Sequence, residues 1–325
     1  MVKYHIITYG CQMNESDSER IATQLEKQKH QLAKNIKQAD LIVINVCSVR
    51  QSAINRVYDK IKKIRLFSKK PKIILTGCIL EKDKKQFKEK VDKIKPISDN
   101  FKIKTNCQST KQALVPIMTG CNNFCSYCAV PYTRGREKSR PTQEIIKEVK
   151  NLIKNNYKEI TLLGQNVNSY QNNFPKLLKT LNHLPGNFEI NFMTSHPKDM
   201  SDELISIIAS SKKVSKNIHL PVQSGDNKIL KKMNRGYTVQ DYKKLIKKIR
   251  QQIPKAKIST DIIVGFPDET EKQFQNTVKL VKEIRFSQAY VSAYSPRPGT
   301  VAHKFKDNIP SGIKKRRKKI LLDMF

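Results

Sequence analysis

Three short apolar runs near the beginning of the chain each end in a cysteine. They are His-Ile-Ile-Thr-Tyr-Gly-Cys (5–11), Leu-Ile-Val-Ile-Asn-Val-Cys (41–47) and Ile-Ile-Leu-Thr-Gly-Cys (73–78). The segments between them, residues 15–30 and 50–68, are polar and compatible with helices, which predicts strand-helix alternation. Because such an alternation builds a parallel sheet with right-handed crossovers, this pattern constrains the fold of the chain strongly.

The three cysteines that end these runs form the first cysteine group, Cys11, Cys47 and Cys78. Parallel sheets place ligand sites outside the carboxyl ends of their strands, so we expect the three thiols at one edge of the sheet. One such cysteine alone is more often a buried core residue. Three at equivalent strand ends favour a three-cysteine cluster site. Cys107 has no partner of this kind, and no role is assigned to it.

The second cysteine group, Cys121, Cys125 and Cys128, lies in the loop Gly-Cys-Asn-Asn-Phe-Cys-Ser-Tyr-Cys (120–128). Three thiolates on one short loop can bind three irons of a [4Fe-4S] cluster and leave the fourth iron open to a small molecule. The spacing differs from the two-pair zinc pattern and from ferredoxin, which adds a fourth cysteine. A structural zinc loop is the alternative at this stage.

The chain carries a strong excess of positive charge. It has 63 Lys and Arg against 28 Asp and Glu, a formal net charge of +35. Such a field attracts polyanions, which predicts a basic surface for RNA. A coding bias towards lysine, with the lysines merely solvating helix faces, explains part of the lysine count but not the shortage of acidic residues.

The cysteine count and the apolar runs indicate a cellular compartment. The chain has seven cysteines, an odd number, and the segment Met1–Gly10 does not resemble an export signal. Reduced thiols that bind metal are therefore expected rather than disulfides, in the cytoplasm. The longest apolar runs are far shorter than the roughly twenty residues that span a bilayer, so no membrane association is expected.

Beyond a polar linker at 96–112, strand-helix alternation resumes. Two domains are expected, at 1–100 and 107–325, and the second is predicted to be a partial (β/α)6 TIM-type barrel with functional residues after its strands. The basic run Lys314–Lys319 is predicted to lie on a last helix. Predicted strands are 113–118, 159–163, 188–193, 217–222, 258–264 and 289–294, and predicted helices are 142–155, 174–182, 201–211, 238–252 and 269–284.

Several residues at the ends of the predicted barrel strands are candidates for cofactor binding. Glycines there allow close backbone approach, amides and hydroxyls offer hydrogen bonds, and an aromatic ring can stack on a base. His196 is a candidate base, although a histidine in a polar turn is more often a hydrogen-bonded loop residue. The candidates for cofactor binding are Tyr127, Gly164, Gln165, Asn166, Gln223, Ser224 and Gly265.

These motifs carry a resemblance to a known family. The loop 120–128 resembles the signature of the radical S-adenosylmethionine (SAM) enzymes, and two three-cysteine groups in this order resemble the methylthiotransferases among them. Further motifs resemble the branch of that family that modifies N6-dimethylallyladenosine in tRNA. They are Thr8–Glu15, Val130–Gly135, Ser139–Pro141, Leu163–Asn168, Thr194–Pro197, His219–Gly225 and Asp261–Pro267.

The resemblance implies a reaction and its cofactors. The second cysteine group would hold the [4Fe-4S] cluster that binds and cleaves SAM, and the first group would hold an auxiliary [4Fe-4S] cluster that carries the sulfur. Two SAM molecules would be used to convert N6-dimethylallyladenosine at position 37 of tRNA to its 2-methylthio derivative. The implied partners are the tRNA anticodon stem-loop, an electron donor such as flavodoxin or ferredoxin, and a sulfur donor.

The sequence departs from the family pattern in two places. The family ends in a small RNA-binding barrel called TRAM, which is expected to be absent because the chain stops at Phe325. The stretch between Cys78 and Cys121 is also shorter than usual. The alternatives are a methylthiotransferase acting on threonylcarbamoyladenosine tRNA or on an aspartate of a ribosomal protein, and a non-catalytic iron–sulfur protein that binds RNA.

Overall fold

The structure is a computed structural model that describes residues 1–49, 51–97 and 112–325. Cys107 and most of the predicted linker lie outside these ranges. Among the helices of the described residues, none combines the length and apolar character needed to cross a bilayer.

The N-terminal part of the chain forms a five-stranded sheet in which all neighbouring strands are parallel. The strand order is β2-β1-β3-β4-β5, and the predicted strand-helix alternation is confirmed. The two-residue edge strands were not predicted, because two residues are too short to show a period. The elements are β1 (Lys3–Tyr9), α1 (Gln12–Lys27), β2 (Gln31–Leu32), β3 (Leu41–Cys47), α2 (Gln51–Arg65), β4 (Lys72–Cys78), α3 (Glu81–Phe87) and β5 (Lys93–Ile94).

The composition of β3 and α2 explains their place in this sheet. The near-continuous apolar run of β3 is buried along most of its length, as expected of a central parallel strand covered on both faces. Helix α2 turns one apolar stripe, which includes Ile54, Val57 and Ile61, towards the same core. The N-terminal sheet therefore has a hydrophobic core of its own.

The rest of the described chain forms the predicted partial barrel. Its elements are β6 (Gln112–Pro116), β7 (Met118–Thr119), α4 (Val130–Thr133), β8 (Lys138–Ser139), α5 (Thr142–Lys154), β9 (Glu159–Leu163), α6 (Phe174–Asn182), β10 (Glu189–Phe192), α7 (Asp202–Ser210), β11 (Asn217–His219), α8 (Asn227–Lys232), α9 (Val239–Gln252), β12 (Lys257–Val264), α10 (Glu271–Ile284), β13 (Gln288–Ala293) and α11 (Ser311–Leu322).

Two parallel three-stranded sheets make up this barrel, ordered β10-β9-β6 and β11-β12-β13. They are joined by a parallel bridge between Ile190 and Val214. The Ile190 amide donates to the Lys213 carbonyl at 2.8 Å, and the Ser215 amide donates to the Ile190 carbonyl at 2.9 Å. The six strands therefore follow one another around the barrel in chain order.

The predicted strand 113–118 is divided in the structure. Its first part is β6, which pairs with β9, whereas β7 pairs with β8 in antiparallel orientation. The change of partner turns the chain out of the barrel sheet just before the loop 120–128. This turn sets the position of the second cysteine group.

Three buried or largely buried ion pairs connect the N-terminal part of the chain to the barrel part, and a fourth pair lies beside one of them. Arg20 pairs with Glu148, which also pairs with Arg140. The other two pairs, Arg134–Asp17 and Arg297–Asp83, have side chains that are less than a tenth exposed. Because a buried charge without its partner is costly, these pairs fix the two parts of the chain relative to each other.

Breaking one of these pairs is expected to destabilise the protein. Replacing Arg297 by alanine leaves the Asp83 carboxylate buried without its guanidinium, which costs about 3–5 kcal/mol. Urea denaturation monitored by circular dichroism measures the loss. The control is Arg65→Ala, which breaks the exposed pair with Asp92 and should cost about 1 kcal/mol or less. Equal losses for the two variants would contradict an interface role for Arg297.

Candidate active site

The first cysteine group lies at one edge of the N-terminal sheet, as predicted. Cys47 and Cys78 are register partners in the β3–β4 pair. Cys11 follows β1 and is the residue that precedes the first turn of α1. The hydrogen bond between the Cys47 and Cys78 side chains lowers the pKa of Cys47, and that bond together with burial raises the pKa of Cys78.

A buried amide network holds the Cys11 end of this site. The Asn14 side chain donates to Asn45 Oδ1 at 2.9 Å, and the Asn45 side chain donates to the Asn14 carbonyl at 2.8 Å and to Ser18 Oγ at 3.0 Å. Both asparagines are fully buried. Sequence analysis missed them, although Asn45 stands out as a polar residue inside an apolar strand.

The loop that carries the second cysteine group is held by the end of α8. The Ser126 amide donates to the Met233 carbonyl at 3.0 Å, and Ser126 Oγ donates to the Lys232 carbonyl at 2.8 Å. The Asn234 side chain donates to the carbonyl of Phe124, which has a left-handed backbone with φ of 47°. A residue with a left-handed backbone that hydrogen bonds hold in place is typical of a functional loop.

Two features of this loop fit a metal cluster. Arg235, a buried residue, donates through Nη1 to Cys125 Sγ at 3.3 Å, so a guanidinium already faces one of the sulfurs. Burial raises the pKa of the Cys128 thiol to about 12. Metal binding must therefore displace a proton there, because the thiolate is the ligand.

The described residues contain no preformed site for a zinc ion, which was the alternative for the loop 120–128. In residues 1–49, 51–97 and 112–325, no group of three or more His, Cys, Asp and Glu is arranged to hold a single metal ion. In a four-iron cluster the cysteines bind different irons, so the thiols need not converge on one point. Each cysteine group offers three thiols, and a guanidinium donates to one sulfur of each group. These donor sets fit four-iron clusters.

One arginine from the region of the second cysteine group contacts the first group. Arg134 lies six residues after Cys128, at the end of α4, and its side chain is 2% exposed. Its Nε donates to Cys78 Sγ at 2.9 Å, and its Nη2 donates to Asp17 Oδ2 at 2.7 Å. A residue of the second cysteine loop region therefore contacts a sulfur of the first group.

The end of β9 presents polar atoms that have no partner among the residues that the structure describes. The Gly164 carbonyl accepts from Thr194 Oγ1 at 2.6 Å, and the Asn166 side chain donates to Asp199 at 2.7 Å. Gln165 Oε1 and Asn166 Oδ1 are buried, yet neither accepts a hydrogen bond within the described part of the chain. Buried acceptors of this kind indicate a missing polar ligand.

The ends of β10 and β11 add to this set. Ser195 Oγ and Gln223 Oε1 are also buried without a partner among the described residues. Gln223 has a left-handed backbone with φ of 71° and pairs with Ile262 of β12. The unpaired acceptors fit a ligand rich in donors, such as SAM with its ammonium, adenine amino group and ribose hydroxyls.

Ser224 and Gly265 both make close contacts within the protein. The Ser224 hydroxyl is already used, since it contacts Thr277 Oγ1 at 3.5 Å and accepts from the Asp226 amide at 3.2 Å. Gly265 has φ of +67°, and a Cβ there would lie 2.4 Å from Lys314 Cγ. The glycine therefore lets the end of β12 lie directly against α11.

Tyr127 and His196 lie beside the same strand ends. Tyr127 is partly buried and packs against a small apolar cluster that includes Phe266 and Tyr294. His196 is buried, and its Nδ1 accepts from the Lys198 amide at 3.3 Å. Burial lowers the pKa of His196 to about 2, with help from nearby cations, so the imidazole is neutral near pH 7. His196 is therefore better described as a hydrogen-bonded loop residue than as a catalytic base.

A further pair of polar side chains, missed by sequence analysis, lies on the barrel strands. His219 Nε2 is 3.2 Å from Asp261 Oδ2, and its Nδ1 is 3.0 Å from Ser259 Oγ. Asp261 lies on the face of β12 opposite to Ile258 and Ile262, which pack in the core. The alternation of buried and open positions along β12 was the signal that could have found this pair.

The predicted basic helix exists as α11, but its six basic residues are not equivalent. Lys314 is buried and pairs with Asp307 at 2.5 Å. Arg317 is buried and donates to Glu269 Oε2 at 2.8 Å, and this carboxylate also accepts from the Gly265 amide at 2.6 Å. The predicted last helix therefore exists, but two of its six basic side chains support the end of β12 and are not part of a basic surface.

Family models match both parts of the chain. The model described as "Radical SAM superfamily" matches residues 115–281, and the model described as "Uncharacterized protein family UPF0004" matches residues 3–98. The first match contains the second cysteine group, and the second match contains the first group.

Curated relatives match over nearly the whole chain. The tRNA-2-methylthio-N(6)-dimethylallyladenosine synthase of Thermoanaerobacter pseudethanolicus is 44% identical over 99% of this chain and 77% of its own length. The protein of the same name from Thermosipho africanus is 46% identical over 99% of this chain and 83% of its own length.

Solved structures share the fold at low identity. The radical SAM methyltransferase TsrM from Kitasatospora setae, with cobalamin and a [4Fe-4S] cluster bound, aligns with a TM-score of 0.66 and 12% identity over 93% of this chain and 77% of that chain. The apo form of the cobalamin-dependent enzyme OxsB aligns with a TM-score of 0.61 and 11% identity over 99% of this chain and 55% of that chain. These two likenesses support the fold alone.

Gly120, which precedes the second cysteine group, provides a test of its geometry. Gly120 and Gly135 both have φ of +78°, but a Cβ on Gly120 would lie 2.0 Å from the Arg136 carbonyl oxygen, whereas one on Gly135 meets nothing within 4 Å. Each alanine variant pays about 1–2 kcal/mol for its left-handed backbone. Only Gly120→Ala should displace Cys121 and lose about half of the bound iron. Iron analysis after reconstitution measures this, and equal iron in both variants would contradict the placement.

Proposed function

Because this chain belongs to the radical SAM superfamily and, within it, to the tRNA-2-methylthio-N6-dimethylallyladenosine synthases, we propose that it transfers a methylthio group to N6-dimethylallyladenosine in tRNA. The observation that carries the proposal is the pair of three-cysteine groups, one at the strand ends of the N-terminal sheet and one on the loop 120–128, with Arg134 of the second region donating to Cys78 of the first group. A two-cluster reaction needs its two metal sites close together.

Each cysteine group is proposed to hold one [4Fe-4S] cluster. The second group, Cys121, Cys125 and Cys128, would bind the SAM-cleaving cluster, and the first group, Cys11, Cys47 and Cys78, would bind the auxiliary cluster. When bound, the former supplies the electron that cleaves SAM and the latter supplies the sulfur. The chain itself contributes thiol ligands and buried guanidinium donors to one sulfur of each group.

SAM is proposed to bind across the ends of the barrel strands. Gln165, Asn166 and Gln223 would accept hydrogen bonds from it, since each has a buried oxygen without a partner among the described residues. Gly164 would let the backbone approach it, and Tyr127 would lie beside the adenine. Gly265 would act indirectly, because it lets the end of β12 lie against α11. Ser224 would act indirectly, by fixing the turn after Gln223.

The proposed RNA partner is the anticodon stem-loop of tRNA. The exposed or half-exposed lysines of α11, Lys315, Lys318 and Lys319, are suited to contact its phosphates. A one-electron donor such as flavodoxin or ferredoxin and a sulfur donor complete the proposed partners. Asp261, on the partly exposed face of β12, and His219, which contacts it, would lie beside the target adenine.

Triple cysteine variants test the cluster assignments. Replacing the second cysteine group by alanine should leave about four of about eight irons per chain and abolish 5′-deoxyadenosine formation from SAM. Replacing the first group should also halve the iron but leave 5′-deoxyadenosine detectable, with no methylthio product. Iron analysis and liquid chromatography with mass spectrometry provide the readouts. Full iron in the first-group variant would refute the auxiliary site.

Lysine variants test the RNA surface. Replacing Lys315, Lys318 and Lys319 by glutamine should weaken binding of an anticodon stem-loop and reduce the slope of log affinity against log salt by about two, at roughly 0.7–0.9 per phosphate contact. Fluorescence anisotropy between low and physiological salt measures both.

The matched control removes three exposed lysines, Lys27, Lys29 and Lys34, near the opposite edge of the N-terminal sheet. Helix α1 runs from the Cys11 edge to Lys27, which places Lys27 about 24 Å from Cys11 at 1.5 Å per residue. Equal losses of affinity for the two triple variants would show that net charge, not the α11 surface, binds the RNA.

A further inference from the structure

Arg134 makes contacts that a purely structural ion pair does not need. Its guanidinium donates to a carboxylate, Asp17, and also to the Cys78 thiol sulfur at 2.9 Å. Its third nitrogen, Nη1, is buried and has no partner among residues 1–49, 51–97 and 112–325. One donor group therefore remains available beside the sulfur edge of the first cysteine group.

The place of Arg134 in the chain makes this contact informative. Cys128 is followed by the single turn α4, Val130–Thr133, and then by Arg134. The Arg134 amide donates to the Val130 carbonyl at 2.8 Å, which fixes the arginine at the end of that turn. One helical turn and one hydrogen bond to sulfur thus lead from Cys128 to Cys78.

Arg235 provides an internal comparison on the other cysteine group. It is buried and donates to Cys125 Sγ, but its remaining donors go to neutral acceptors, the Pro221 carbonyl at 2.9 Å and the Tyr237 hydroxyl at 2.9 Å. Arg134 instead has a carboxylate partner at 2.7 Å. The positive charge at the first group is therefore partly compensated, and the charge at the second group is not.

We propose that Arg134 is a positioning residue that sets the reduction potential of the auxiliary cluster, and that Asp17 opposes its effect. This inference rests on the proposed function, since it requires a cluster on the first cysteine group. A cluster gains one negative charge when it accepts an electron from an external donor, so a nearby cation favours the reduced form and a nearby anion disfavours it. Hydrogen bonds to the cluster sulfurs act in the same direction as the cation.

Variants on the two sides of this ion pair should shift the potential in opposite directions. Arg134→Gln removes the cation and should lower the ratio of reduced to oxidised auxiliary cluster about tenfold at fixed potential, a shift of about 59 mV for one electron. Asp17→Asn removes the anion, keeps the arginine, and should raise the same ratio. Arg134→Lys retains the charge and should stay closer to the unsubstituted protein than Arg134→Gln.

The measurement is a dithionite titration of the reconstituted full chain with redox mediators, followed by electron paramagnetic resonance. Signals are assigned with the two triple cysteine variants, each of which retains one cluster. Arg235→Gln is the matched control, and it should lower the potential of the SAM-cleaving cluster while leaving that of the auxiliary cluster unchanged.

The outcomes separate this inference from the proposed function. If the unsubstituted protein binds a single cluster, the proposed function fails first. If both clusters are present and both ion-pair variants leave the auxiliary potential unchanged or shift it in the same direction, Arg134 merely holds the interface and the inference is overturned. Opposite shifts confined to the auxiliary cluster establish it, because loss of one shared ion pair cannot produce two signs.

Discussion

Parallel pairing of β1, β3 and β4 places their carboxyl ends at one edge, and the first cysteine group depends on it. Cys47 and Cys78 meet only because the two strands are in register, and a slip of one residue would turn one of the thiols to the other face of the sheet. The barrel repeats the arrangement, since the candidate SAM-binding residues follow the ends of β9, β11 and β12. Strand pairing is thus the first determinant of both sites.

Buried charge is the second determinant. The N-terminal sheet and the barrel have separate hydrophobic cores. Ion pairs whose side chains are almost fully buried lie where these two parts of the chain meet. Electrostatic interactions are stronger in a low-dielectric interior than in water, so each buried arginine restricts where its partner can lie. Arg134 and Arg235 also act on sulfur, which gives these residues a chemical consequence beyond the stability of the fold.

Much of this fold could be predicted from sequence because its signals are local. The predicted strand 159–163 matches β9 residue for residue, and the predicted 258–264 differs from β12 by one. Hydrophobic runs and cysteine spacing encode such features directly. Contacts between distant residues are not encoded in this way, so the bond from Arg134 to Cys78 and the burial of Lys314 and Arg317 became visible only in the structure.

We propose that this chain places a methylthio group on dimethylallyladenosine in tRNA. This reaction is tested most directly by mass spectrometry of tRNA nucleosides from a strain that lacks the gene and from the same strain with the gene restored. We predict that 2-methylthio-N6-dimethylallyladenosine disappears when the gene is absent, that its unmethylthiolated precursor accumulates, and that restoration of the gene reverses both changes. An unchanged level of this nucleoside, with loss of methylthio groups from threonylcarbamoyladenosine or from a ribosomal protein, would contradict it.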